Sequence, residues 1–174
     1  MDRYSQTNRR DLSEDWQGEN VTRQIEPDIA DFRHLAKHVP IPNVTAQEIG
    51  VDTILSWPQD AIVAPDAPRT GRELEVFHLA TAFLQKASVN AADCDVHFEI
   101  SHTADKNAPR VIVETPVDSE FCSARQNAQS QLAKHGFKLD SQHGGELPQA
   151  LPVRATIFDE QSRVSSVNTL FADL

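Results

Sequence analysis

The sequence predicts an α+β fold, specifically a ferredoxin-like two-layer sandwich with the element order β-α-β-β-α-β. Three observations carry this prediction. Residues 71–88 have the apolar spacing of an amphipathic helix, residues 94–101 and 110–115 alternate as strands do, and residues 118–136 begin and end with helix signals. Short apolar runs at 61–65 and 153–158 supply the first and last strands of this order. We therefore expect two helices on one face of a four-stranded antiparallel sheet.

Two regions precede the sandwich, which spans residues 59–174. Residues 1–26 hold six acidic and four basic side chains, with scattered apolar positions that follow no period, so we predict a disordered polar leader. Residues 27–58 form a helical lead-in to the sandwich. Its first helix, in "PDIADFRHLAKHV", ends at "PIPN", and its second begins at Thr45 with Glu48 as a capping box. Residues 27–174 thus form a single domain.

The helix predicted over residues 71–88 is the strongest in the chain. Thr70 and Glu73 form a second capping box at its start. Seven apolar side chains fall on one arc of the helix: Val76, Phe77, Leu79, Ala80, Phe83, Leu84 and Ala87. We expect this helix to be the central one.

The strand over residues 94–101 has two faces. Cys94, Val96, Phe98 and Ile100 point to one side, whereas Asp95, His97, Glu99 and Ser101 point to the other. The first face is the predicted core face, and the second is predicted to be solvated. The turn residues in "HTADKNAP" join this strand to the one at 110–115, which predicts a hairpin.

The second sandwich helix carries an unusual outer face. Asp118 or Ser119 begins it, and Gly136 is the expected left-handed stop. Its exposed face is polar but nearly uncharged, which lowers the cost of desolvation and would allow contact with a partner, although an ordinary solvated face also explains it. The residues of this face are Gln126, Asn127, Gln129, Ser130 and Gln131. A flexible loop, "SQHGGELPQ", then leads to the strand at 153–158, and a turn at "DEQS" leads to a short strand around Val164.

Composition excludes several classes of function. The net charge of −10, from 26 acidic and 16 basic residues, argues against binding to nucleic acid. No apolar run is long enough to cross a membrane, and the first 25 residues lack the apolar stretch of a signal peptide, so we predict a cytoplasmic protein. Cys94 and Cys122 are too few for a disulfide framework.

Polar clusters give weak candidates for a metal site or an active site. His97 and Glu99 lie two apart on one strand face and could share an ion, but His102 does not converge with them. His34 and His38 have the i, i+4 spacing of zinc-binding helices, with Leu35 where a metalloprotease carries its glutamate. Each cluster is better explained as a solvated surface. We predict no catalytic residue and no cofactor.

The leading functional hypothesis is a non-enzymatic adaptor, regulator or chaperone-like protein that binds a protein partner or a second copy of itself. The predicted contact residues are the polar helix face and the apolar C-terminal Leu170, Phe171 and Leu174. Two alternatives stay open. One is an enzyme of unfamiliar type with a polar cluster around His97 and Glu99, and the other is an exported bacterial effector whose leader acts in secretion.

Overall fold

The structure is a computed structural model that describes residues 44–58, 67–90, 95–116, 121–160 and 163–165, without the side chains of 158–160 and 163–165. Several predictions fall outside the described residues: the leader, the helix with His34 and His38, the 61–65 strand, Cys94, the Asp118 or Ser119 cap, and Leu170, Phe171 and Leu174.

The described residues form a mixed α+β fold with more strand than helix. In chain order the elements are β1 (Gln47–Ile49), α1 (Val51–Leu55), a 3₁₀ turn (Gly71–Leu74), β2 (Val76–Val89), β3 (Val96–Ser101), β4 (Arg110–Thr115), α2 (Cys122–Lys134), β5 (Gly145–Glu160) and β6 (Arg163–Ser165). The α+β class is confirmed. The ferredoxin-like order is not confirmed, because a strand occupies the place of its first helix.

Strand β2 organises the sheet. It pairs in parallel with β1 and in antiparallel with β3 and β5, while β4 pairs in antiparallel with β3. The short β6 joins β4 to β5. The sheet is therefore curled, and β4 and β5 at its two ends both pair with β6.

The helix predicted over residues 71–88 is wrong, since residues 76–89 form β2. The buried side chains that line its core face are Phe77, Leu79, Ala82, Leu84 and Ala87. Their spacing alternates between two and three because the register shifts between Leu79 and Ala82 and again between Leu84 and Lys86. Two such bulges turn a strand's period of two into an apolar pattern that resembles a helical arc. The capping box of Thr70 and Glu73 is present, but it closes the 3₁₀ turn.

The helix predicted to begin at Thr45 is also mostly wrong. Residues 47–49 form β1, and of the predicted helix only Val51–Leu55 are helical. The N-cap of this short helix is Gly50, which has no side chain to cap it. The pairing of β1 with residues 77–79 of β2 outweighs local helix preference here. Val51 and Ile54 are buried in the core, so the short helix α1 packs against the sheet.

The β3–β4 hairpin is confirmed, with register from Val96 opposite Thr115 to Ser101 opposite Arg110. The predicted core face is also correct, since Val96, Phe98 and Ile100 are fully buried. The opposite face differs from the prediction at its ends. Asp95 and Ser101 are buried as well, so only the middle of this face is accessible to solvent.

Helix α2 is confirmed. Its buried side chains are Ala124, Ala128 and Leu132, and Phe121 at its N-cap is buried too. It ends in a Schellman motif. Gly136 has a φ of 73°, its N–H donates to Ala133 O at 3.0 Å, and the N–H of Phe137 donates to Leu132 O at 3.0 Å. The stop predicted at Gly136 is therefore correct.

Strand β5 begins at Gly145, well before the predicted residue 153, so half of the predicted flexible loop belongs to the sheet. The chain approaches β2 closely at the start of this strand. A Cβ atom on Gly144 would lie 2.9 Å from Ala87 O, which only glycine tolerates without a backbone shift. The short strand predicted around Val164 is confirmed as β6.

Candidate functional site

A groove runs between helix α2 and the segment that follows it. Gln126, Gln129, Ser130 and Ala133 form its helix wall, and residues 137–139 form the other wall. Its volume is about 300 Å³. We call this feature the α2 groove. It lies on the outer side of the helix, since Ala124, Ala128 and Leu132 face the core.

The second wall of the α2 groove is fixed in place by the end of the helix. The Schellman motif reverses the chain at Gly136 and brings Phe137 back toward Leu132. Gln129 then donates from Nε2 to Leu139 O at 2.9 Å, and the side chain of Leu139 is buried in the core. One glutamine of the polar face thus holds the two walls together.

A tight turn supports the groove just beyond Leu139. Asp140 accepts hydrogen bonds from the backbone N–H groups of Gln142 and His143, each at 2.8 Å, and from His143 Nδ1 at 2.7 Å. Lys138 Nζ lies 2.9 Å from the other carboxylate oxygen of Asp140. The hydrogen bond from Lys138, helped by those from Gln142 and His143, outweighs burial and holds the pKa of Asp140 far below its usual range.

Both walls of the groove belong to an acid-free stretch of an acidic protein. Residues 121–139 contain Arg125, Lys134 and Lys138 but no aspartate or glutamate, so all 26 acidic residues of the chain lie elsewhere. Lys134 and Lys138 are exposed, whereas Arg125 donates to the carbonyl of Pro116. The groove is therefore flanked by two accessible cations.

The structure divides the predicted partner-binding residues into two sets. Gln126, Gln129 and Ser130 line the α2 groove, whereas Asn127 and Gln131 lie beside it on the same helix. Gln131 accepts a hydrogen bond from Lys134 at 3.1 Å. Cys122 is half-buried at the first turn of α2, 3.5 Å from Gln126 Nε2.

The structure gives His97 and Glu99 separate partners. His97 Nε2 lies 3.1 Å from Glu114 Oε1, directly across the hairpin. Glu99 faces Lys86 and Arg110 instead, and His102 contacts Asp52 of α1 at 3.3 Å. Within the described part of the chain, no group of three or more His, Cys, Asp or Glu side chains is placed to hold a metal ion.

Four strands contribute to an ionic network around Glu99. Lys86 Nζ donates to Glu99 Oε1 at 2.7 Å, and Arg110 Nη1 bridges Glu99 Oε2 at 3.1 Å and Glu146 Oε1 at 2.6 Å. Partial burial would raise the pKa of Glu99, but the hydrogen bonds from Lys86 and Arg110 together outweigh it and lower that pKa. The hydrogen bond that Arg110 donates to Glu146 contributes most to a raised pKa of Arg110.

This network makes the stability of the protein sensitive to acid. The folded-state pKa of Glu99 lies below the ordinary 4.5, so its contribution is present above pH 4.5 and is lost as the pH falls through the folded value. We expect Glu99→Gln to lower the free energy of unfolding at neutral pH by about 1 kcal/mol, since partial exposure screens the charges. Urea titrations of both proteins should show this difference shrinking between about pH 6 and pH 3.

Glu48→Gln is the matched control, because Glu48 is an exposed carboxylate on β1. Its effect should stay within about 0.5 kcal/mol over the same pH range. A Glu99→Gln deficit that is constant or grows on acidification would show that Glu99 is not stabilised in its ionised form.

The chain was compared with protein-family models, with curated proteins and with solved structures, and none of them matches it. In the described part of the chain, no helix has both the length and the apolar character that a membrane span requires.

Proposed function

We propose that the protein is a non-enzymatic binding protein that holds another protein at the α2 groove. The observation that carries the proposal is the composition of the groove. Ala133 and Phe137 give it an accessible apolar lining, and glutamine and serine give it a polar but uncharged wall. Such a surface combines apolar contact area with polar groups whose desolvation costs less than that of charged groups.

The outer face of the β3–β4 hairpin is a weaker candidate for partner binding. Glu99 and Arg110 on this face form ion pairs within the protein, and His97 lies against Glu114. A partner that covered this face would have to desolvate those charges or break their pairs. The side chains of His97 and Glu99 already contact other residues of the protein. We therefore favour a binding function over an enzyme built around these two residues.

A photo-crosslinking amino acid at Ser130 tests the proposal, because Ser130 is exposed and lines the α2 groove. In the cells that make the protein, we expect this position to give a defined protein adduct. The same amino acid at Arg154, an exposed position on β5, serves as the control and should not give that adduct.

The captured protein is then purified and its affinity for the full chain is measured by calorimetry. Ala133→Glu, which places a charge in the groove, should weaken this affinity at least about tenfold. A variant that lacks residues 169–174 measures the contribution of Leu170, Phe171 and Leu174, which stays a prediction. Equal crosslinking from Ser130 and Arg154, or full affinity in Ala133→Glu, would exclude the α2 groove as the binding site.

A further inference from the structure

We infer that the α2 groove binds an acidic peptide segment of the partner, with an apolar side chain in the groove and carboxylates beside Lys134 and Lys138. This inference rests on the proposed function and adds the chemistry of the partner to it. Three features of the structure support it: the charge around the groove, the bonding of Lys138, and the size of the groove.

Charge favours an acidic occupant. The walls of the groove belong to a stretch of nineteen residues without any aspartate or glutamate, in a chain with a net charge of −10. Because Lys134 and Lys138 in this stretch are both exposed, a negatively charged segment is attracted to this part of the surface. Complementary charge of this kind sets where a partner docks and how fast it does so.

Lys138 can contact a partner at little cost to the fold. Its side chain is 69% exposed, and among the described residues its ion pair is with Asp140. Asp140 keeps its two backbone hydrogen bonds and its contact with His143 when Lys138 moves away. The turn that supports the groove therefore remains formed while Lys138 pairs with a carboxylate of the partner.

The size of the groove fits one apolar side chain of a peptide. A volume of about 300 Å³ is at the lower limit for a site that encloses a small molecule. Ala133 and Phe137 provide apolar contact for such a side chain. Gln126 is exposed, and its Nε2 makes a long 3.5 Å contact with Cys122 Sγ, so this amide is placed to hydrogen-bond the backbone of the peptide.

Nucleic acid is the less favoured polyanion for this surface. Two accessible lysines neutralise few phosphates, and all the acidic residues of the chain act against the approach of a long polyanion. A short peptide with a few carboxylates meets only the local charge of the groove. Screening by salt confines that interaction to about 10 Å at ordinary ionic strength.

Fluorescence polarisation with the full chain tests the inference. The probe is a fluorescein-labelled synthetic peptide with a central leucine between glutamates, and matched peptides carry glutamine or lysine in place of each glutamate. We expect the glutamate peptide to bind at least about tenfold more tightly than the glutamine peptide and the lysine peptide not to bind. Raising the salt concentration from about 50 to 150 mM should weaken the binding of the glutamate peptide more than that of the other peptides.

Protein variants locate the bound peptide. Lys134→Gln combined with Lys138→Gln should weaken the glutamate peptide at least about fivefold, whereas Arg154→Gln, which removes an exposed cation elsewhere, should change its affinity less than about twofold. Circular dichroism of each variant confirms the fold. Equal losses in the double variant and in Arg154→Gln would overturn the inference.

Two further outcomes separate the inference from the proposed function. If the glutamate and glutamine peptides bind equally and Ala133→Glu abolishes both, the acidic preference is wrong but the groove still binds protein. If none of the peptides binds while Ser130 still captures a specific partner, the inference is again overturned and the proposed function stands. If a single-stranded oligonucleotide binds as tightly as the glutamate peptide, the groove recognises polyanions in general and not an acidic peptide. That result would also overturn the inference.

Discussion

Replacing Phe98 by alanine is expected to lower the free energy of unfolding by about 3 to 5 kcal/mol. Phe98 is fully buried, in the middle of β3, with Ala87 of β2 on one side and Val113 of β4 on the other. Its removal leaves a cavity between strands that hydrogen bonds hold in register, so the surrounding core cannot close around it. Urea denaturation at neutral pH measures the loss.

His97→Ala is the matched control, because His97 is the neighbour of Phe98 in sequence and points to the opposite face. It keeps about a quarter of its side-chain surface exposed and lies 3.1 Å from Glu114. Since a partly exposed pair of this kind contributes little, the expected loss is at most about 1 kcal/mol. Equal, large losses in both variants would contradict the assignment of the two faces of β3.

The hairpin and α2 could be predicted because their signals are local. Alternation from Val96 to Ile100 requires only that one face of a strand be buried, and Gly136 ends α2 through backbone freedom that glycine alone supplies readily. Both patterns remain visible in a single stretch of sequence, whatever the rest of the chain does.

Strand β2 could not be predicted because its pattern depends on its neighbours. Its two register shifts are defined by pairing with β5, and one of them also by pairing with β3. Without knowledge of this strand pairing, the sequence of β2 shows only apolar residues at mixed spacings of two and three. The helix interpretation follows from those spacings alone, and tertiary hydrogen bonding overrides it.

One of the two walls of the α2 groove could be predicted from the sequence. The amide-rich face of α2 identifies Gln126, Gln129 and Ser130, but the opposite wall depends on how the chain turns after the helix. The sequence does contain a signal for that wall. An apolar residue directly after a C-terminal glycine, here Phe137 after Gly136, is typical of a Schellman motif that folds back on its helix.

Among the described residues, Gln85 is the largest polar side chain that is fully buried, and it lies in the second bulge of β2. Its Nε2 donates to Ser101 Oγ at 2.9 Å and to the carbonyls of Thr103 and Asp105 at 3.1 Å each. Ser101 in turn donates to Thr103 O at 2.7 Å, so its oxygen is an acceptor toward Gln85. The amide nitrogen therefore ties the β3–β4 turn to the centre of β2.

Gln85→Glu is expected to lower the free energy of unfolding at neutral pH by about 3 to 5 kcal/mol, because it places a buried carboxylate against three acceptor oxygens. The cost has a defined pH dependence. Burial raises the folded-state pKa of an introduced glutamate above its unfolded value, so the destabilisation grows as the pH rises through the unfolded pKa and is smallest in acid. Urea denaturation between about pH 4 and pH 8 measures it.

Gln85→Leu separates the loss of the hydrogen bonds from the cost of the charge. Leucine removes the same donor without adding an ion, so the expected loss is about 1 to 3 kcal/mol and does not depend on pH. The excess loss in Gln85→Glu should therefore be largest at neutral pH and disappear in acid, where the glutamate is protonated, uncharged and able to donate a hydrogen bond. Losses that are equal at every pH would mean that position 85 is open to water, and the turn at residues 102–106 would then need another anchor.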